Sequence, residues 1–139
     1  MTQVCFAKLE QPQKADLLCR LTEEYYSTGK RVLVRVQDDN QAVALDRFMW
    51  SCDKGSFLPH AFYNGSVDCL EEPIVITVRE GNPNGATVLI MGQPCTLEFI
   101  GRFELVIDFA EIYDKQLAKQ ARERFRAYRQ QGFNPQLFE

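Results

Sequence analysis

Apolar positions recur along this chain with two different periods, and the two periods alternate. Val4, Phe6 and Lys8 interleave with Cys5, Ala7 and Leu9, a two-residue repeat that predicts a short first strand. Leu17, Leu18, Leu21 and Tyr25 then follow helical spacing, predicting a helix over residues 15–26. Pro12 stands near its start, where a missing N–H costs little, and Gly29 follows its end as a cap. Residues 31–36 (RVLVRV) read as a β-branched strand. Asp38 and Asp39 offer an N-cap for a second helix from Asn40 to Trp50, with Val43, Ala44, Leu45, Phe48 and Met49 as its apolar positions. Strand, helix, strand, helix in the first fifty residues implies a parallel βαβ core.

The middle is less regular. Residues 51–65 read as an aromatic-rich loop containing Phe57, Phe62 and Tyr63 beside Pro59 and His60. Strands are expected over 73–78, 86–91 and 103–109, with Gly81-Asn-Pro-Asn-Gly85 as a hairpin turn. The unbroken apolar runs 74–78, 88–91 and 105–107 suit strands buried on both faces. With no repeat, low-complexity tract or long linker, residues 1–139 form one α/β domain. Its expected architecture is three-layered: a central sheet, mainly parallel or mixed, with helices on both faces.

The last quarter reads as one long helix over 112–132. Leu117, Ala121, Phe125 and Tyr128 share the face that would pack on the sheet. Lys115, Lys119, Arg122, Arg126 and Arg129 recur at spacings of 4, 3, 4 and 3, a second stripe offset by about 100° from the first. Arg124 points elsewhere. The stripe runs along the rim of an aromatic edge made by Phe125 and Tyr128.

Charge sharpens this picture. Between Glu111 and Gln131 six Lys/Arg face three Asp/Glu, a local +3; the chain as a whole is −3, which leaves −6 for everything else. Segregated charge of this kind marks a surface that awaits an anionic partner, and the planar fork of arginine suits a carboxylate or phosphate. The pI of 5.3 argues against a general nucleic-acid binder. A composition of 45% hydrophobic and 25% charged residues is that of an ordinary globular protein. No apolar run approaches a membrane span, and the N-terminus lacks the features of a secretory signal. The five cysteines (5, 19, 52, 69 and 95) form no CxxC pair, so reduced, packed thiols in a cytoplasmic protein are expected.

Catalytic constellations are hard to find. His60 is the one histidine, and nothing pairs with it at a metal-ligand spacing; a structural or interface role fits it best. No Gly-x-Ser-x-Gly elbow occurs. Gly29-Lys30 precedes a strand and is followed by Arg31, the wrong order for a phosphate-cradling loop, and no Gly-x-Gly-x-x-Gly exists. Asp38 and Asp39 are explained by capping. The expectation is therefore a non-catalytic protein with no cofactor and no metal.

Several stretches resemble the chi subunit family of bacterial DNA polymerase III, the clamp-loader accessory proteins. They are GKRVLV (29–34), the helix carrying Gln41, Ala42, Leu45, Asp46, Met49 and Trp50, SFLPH (56–60), ELVIDF (104–109) and ARERFRAYR (121–129) with Gly132, Phe133 and Asn134. They span the chain in order, and the last is the most specific. The resemblance implies a fold like that of nucleotide-binding domains without their phosphate loop. It further implies a cytoplasmic replisome adaptor that links the clamp loader, through the small psi subunit, to single-stranded-DNA-binding protein. That protein's acidic C-terminal tail ends in a hydrophobic residue with a free carboxylate. By position, the tail site falls on Arg122, Phe125 and Arg126, with Lys119 and Arg129 beside them; where some members have a lysine one turn earlier, this chain has Ala118. The psi surface falls on Trp50, Phe57, Leu58, Pro59 and His60. The alternative is direct binding of single-stranded nucleic acid by the same basic helix, with Phe125, Tyr128 and Phe133 as stacking surfaces. The −6 charge on the rest of the chain disfavours it.

Overall fold

The computed structural model describes residues 2–51, 58–63 and 71–138. Its elements run β1 (Gln3–Leu9), α1 (Ala15–Ser27), β2 (Val32–Arg35), α2 (Asp39–Ser51), β3 (His60–Tyr63), β4 (Ile74–Thr77), β5 (Val88–Met91), α3 (Leu97–Ile100), β6 (Leu105–Glu111), α4 (Lys115–Gln130) and β7 (Asn134–Leu137). The strands form one open sheet in the order β3-β4-β2-β5-β6-β1-β7, and every described pairing is parallel. A mixed sheet is thereby ruled out.

The continuous apolar runs predict this well, because a parallel strand flanked by helices has no wet face. All four residues of β4 and of β5 are buried. Side chains alternate between two cores. Val32, Val34, Ile74, Ile76, Val88 and Ile90 meet Leu18 and Leu21 of α1 and Ala42, Leu45 and Met49 of α2. Leu33, Val75, Leu89, Val106, Val4 and Phe6 meet Phe99 and Ile100 of α3 and Ala121 and Tyr128 of α4. The result is a three-layer α/β sandwich with α1 and α2 on one face and α3 and α4 on the other.

Four local expectations need correction. The 81–85 segment is not a hairpin turn, since β4 and β5 do not pair but flank β2 on either side. Buried Asn84 ties this crossing segment down by donating from Nδ2 to the Glu72 carbonyl (2.9 Å) and the Val32 carbonyl (3.4 Å). Residues 60–63, read as loop, are the edge strand β3. Val43 and Ala44 of α2 are exposed; Ala42, Leu45 and Met49 carry its packing. Cys5 and Cys95 carry free thiols, but Cys19 is disulfide-bonded, because pairing depends on distance in space and not on sequence spacing.

Gly132 ends α4 at φ +90°, in the left-handed region that glycine adopts without steric cost, and turns the chain into β7. Asn134 and Phe138 donate their N–H groups inward to Thr2 and Phe6 of the β1 side. Pro135, between them, faces the open edge, where its missing donor breaks no ladder bond and blunts the edge against further pairing.

Candidate functional site: the basic helix and its edge

Asp114 caps α4, accepting at Oδ1 from the N–H groups of Gln116 (2.8 Å) and Leu117 (3.0 Å). Ala121 and Tyr128 are buried and Leu117 and Phe125 half-buried, so the predicted apolar face does pack on the sheet. Tyr128, at 1% exposure, is not part of an open aromatic edge and offers no stacking surface.

Arg124 turns inward. Its Nε lies 2.8 Å from Asp108 Oδ2 and its second guanidinium nitrogen 3.2 Å from Oδ1, with a further bond of 3.0 Å to the Phe109 carbonyl. The Tyr128 hydroxyl donates to the same Oδ2 at 2.7 Å, and the Phe109 N–H to Oδ1 at 2.7 Å. Asp108 is 1% exposed, and a carboxylate that deep is tolerable only with its lone pairs filled. Burial alone would lower the Arg124 pKa; the Asp108 charge and hydrogen bonds outweigh it and hold the guanidinium above its ordinary range. Burial first, then Asp108, pushes the Tyr128 phenol up. This triad clamps α4 to β6 and fixes which helix face looks outward. Sequence reasoning missed it, although an aspartate inside an apolar run (LVIDF, 105–109) was a readable signal.

Outward, Lys115, Lys119, Arg122, Arg126 and Arg129 are all exposed. Among the described residues none of the five has a carboxylate partner; the ion pairs lie elsewhere. Arg129 instead places its guanidinium carbon 5.1 Å over the Phe125 ring. Phe125 leans on Phe6 of β1, with centroids 5.6 Å apart. Leu137 of β7 pairs in register with Phe6 and so stands on the same sheet face, yet it is 56% exposed. The basic row therefore borders an apolar ledge to which β7, absent from the sequence expectations, contributes.

The second predicted surface sits at the other sheet edge. Trp50, at the end of α2, is 53% exposed and stacks on His60 of β3 with centroids 4.3 Å apart. His60 is buried; its Nδ1 lies 2.6 Å from the Leu58 carbonyl oxygen and its Nε2 3.1 Å from Asp46 Oδ1. That is a structural role, holding the platform under Trp50. Leu58 is buried core, Pro59 half-buried, and Phe57 lies outside the described residues. Six inter-strand spacings place the two edges roughly 29 Å apart, and α2 and α4 cover opposite faces. Among the described residues no three His, Cys, Asp or Glu side chains converge as a metal site. No helix of the described residues is long and apolar enough to cross a membrane.

Comparison with known proteins meets this geometry. The family described as DNA polymerase III chi subunit, HolC, matches residues 1–136. The DNA polymerase III subunit chi of Escherichia coli (strain K12) is 34% identical over 119 residues, covering 85% of this chain and 80% of that protein. Its counterpart in Haemophilus influenzae is 30% identical, over 96% of this chain and 89% of its own. That of Pseudomonas aeruginosa is 28% identical, over 96% and 93%.

Proposed function

The chain belongs to the DNA polymerase III chi subunit family, and from that premise we propose that it is a non-catalytic adaptor of the bacterial replicative polymerase. In this reading it bridges the clamp loader, through psi, to the acidic C-terminal tail of single-stranded-DNA-binding protein in the cytoplasm. A replication accessory role follows from the family. The observation that carries the tail site is the row of five exposed cations without carboxylate partners beside the Phe125 ledge. Aspartates of the tail would lie along Lys115, Lys119 and Arg126, its terminal carboxylate on Arg122, and its last side chain against Phe125 and Leu137. Trp50, a large exposed ring on a rigid histidine, is the residue type that anchors protein interfaces.

A labelled copy of the organism's tail peptide, titrated by fluorescence anisotropy, tests this. Arg122→Ala should weaken it about 10- to 100-fold, the worth of one charge-assisted hydrogen bond. A peptide lacking its terminal hydrophobic residue should bind as poorly. Wild-type protein that ignores the peptide, yet binds single-stranded DNA with affinity rising with strand length, would overturn the tail reading in favour of direct nucleic-acid binding.

A further inference from the structure

A cavity of about 370 Å³ opens at the carboxyl ends of β1, β2, β5 and β6. Here the connections part: α1 and α2 leave β1 and β2 over one face, while α3 and α4 leave β5 and β6 over the other. Crevices at such switch points are where open parallel sheets hold ligands, and the volume falls in the ~300–1,000 Å³ range of small-molecule sites. The basic helix and the Trp50 platform contribute nothing to its walls.

Its chemistry is specific. Buried Leu18, Val36 and Leu45 give an apolar floor. Lys14 crosses the wall, its Nζ 3.0 Å from the Gly92 carbonyl oxygen and 3.5 Å from Glu111 Oε1, so the two charges of the lining cancel. Position 92 is glycine because a Cβ there would meet the Arg35 carbonyl oxygen of the neighbouring strand at 2.8 Å. Gln41 donates from Nε2 to Gln37 Oε1 (3.2 Å), tying together two polar residues of the cavity wall. The half-buried Gln93 side chain makes no hydrogen bond and offers both a donor and an acceptor. A free glutamine amide matches the adenine edge, donating to one ring nitrogen and accepting from the exocyclic amine. A phosphate finds no anchor: the turn after β1 is EQPQK (10–14), without glycine and short of one N–H at Pro12, and Lys14 is already paired with Glu111.

We propose that this cavity binds an uncharged purine, the adenine ring as free base or nucleoside, with Gln93 reading its edge and Leu18, Val36 and Leu45 beneath the ring. Saturation-transfer NMR on the full chain with adenine, adenosine, AMP and uridine at millimolar concentration tests it. Adenine or adenosine should receive saturation, and comparing the two decides whether the sugar is held. AMP should bind no more tightly than adenosine, since no lining group is left to take the phosphate, and uridine, whose single ring covers less of the apolar floor, should bind more weakly. Gln93→Leu should weaken adenosine ~3- to 10-fold, the worth of a neutral hydrogen bond pair. Ala44→Trp, an exposed helix position on the cavity wall, should abolish binding by filling it. No transfer to adenine or adenosine overturns the proposal. So does AMP binding more tightly than adenosine, equal binding of uridine, or unchanged binding in Ala44→Trp.

Discussion

Removing the Arg124 guanidinium while keeping its stem, as in Arg124→Met, should be among the most damaging single changes on α4, although five neighbouring cations can be removed at little cost. The change deletes two bonds to Asp108 and one to the Phe109 carbonyl. Asp108, 1% exposed, is left with the Tyr128 hydroxyl and one N–H. Breaking a buried pair by removing one partner costs about 3–5 kcal/mol because the other charge is stranded; the Arg124 side chain is 20% exposed, so water reaching the vacated space places the expectation near ~3 kcal/mol. At this chain length that is a fall of about 10 °C in Tm. Urea unfolding should show a lower midpoint with an unchanged slope. Asp108→Asn on top of Arg124→Met removes the stranded charge, so the double variant should lose less than the two single losses added together. Below its Tm, Arg124→Met should still bind the tail peptide, since Arg124 faces the sheet. A loss under ~1 kcal/mol, the level of an exposed pair, or strict additivity in the cycle, would refute the clamp.

Trp50→Ala should leave unfolding within ~0.5 kcal/mol of wild type, as for an exposed position, while abolishing capture of psi in a pull-down; retained capture would remove Trp50 from that interface. Alkaline stability should decline in two stages. Burial, as the leading cause, pushes the Cys95 thiol from 9.0 up to about 12, and Tyr128 is raised from 10.0. Both groups keep their protons in the folded state after the unfolded chain has released them, so their stabilisation is complete below pH 9 and is lost as pH rises beyond 9 and then 10. Cys95→Ala should delay the onset and Tyr128→Phe should flatten the later fall in a urea midpoint series; identical slopes in both variants would contradict those assignments. Leu137→Asp should cost almost no stability at 56% exposure yet repel an acidic tail, and anisotropy with unchanged affinity would take β7 out of the site.

The parallel sheet was legible because strands with no wet face leave unbroken apolar runs, as in residues 74–77 and 88–91. β7 was not, because Asn134, Pro135 and Gln136 carry no apolar alternation; only its pairing with β1 makes it a strand. β3 failed for a similar reason, as His60 is polar but buried and its strand is short. On α4, helical spacing separated the packed face from the basic stripe. It did not reveal what Arg124 meets, since Asp108 lies 16 residues away on β6. Lys115, Lys119, Arg122, Arg126 and Arg129 are exposed, as that spacing implies. The purine cavity was beyond reach from spacing, because its walls come from four strand ends far apart in the chain.

The adaptor account makes its sharpest claim about independence, because α4 and Trp50 lie on opposite faces at opposite edges of the sheet. Anisotropy of the labelled tail peptide should therefore be titrated on the chain alone and on the chain saturated with psi. The account predicts the same tail affinity within about twofold, as for distant uncoupled sites, and a ternary complex in sedimentation. Displacement of the tail by psi would mean that the two partners share one surface, and the bridge would be contradicted.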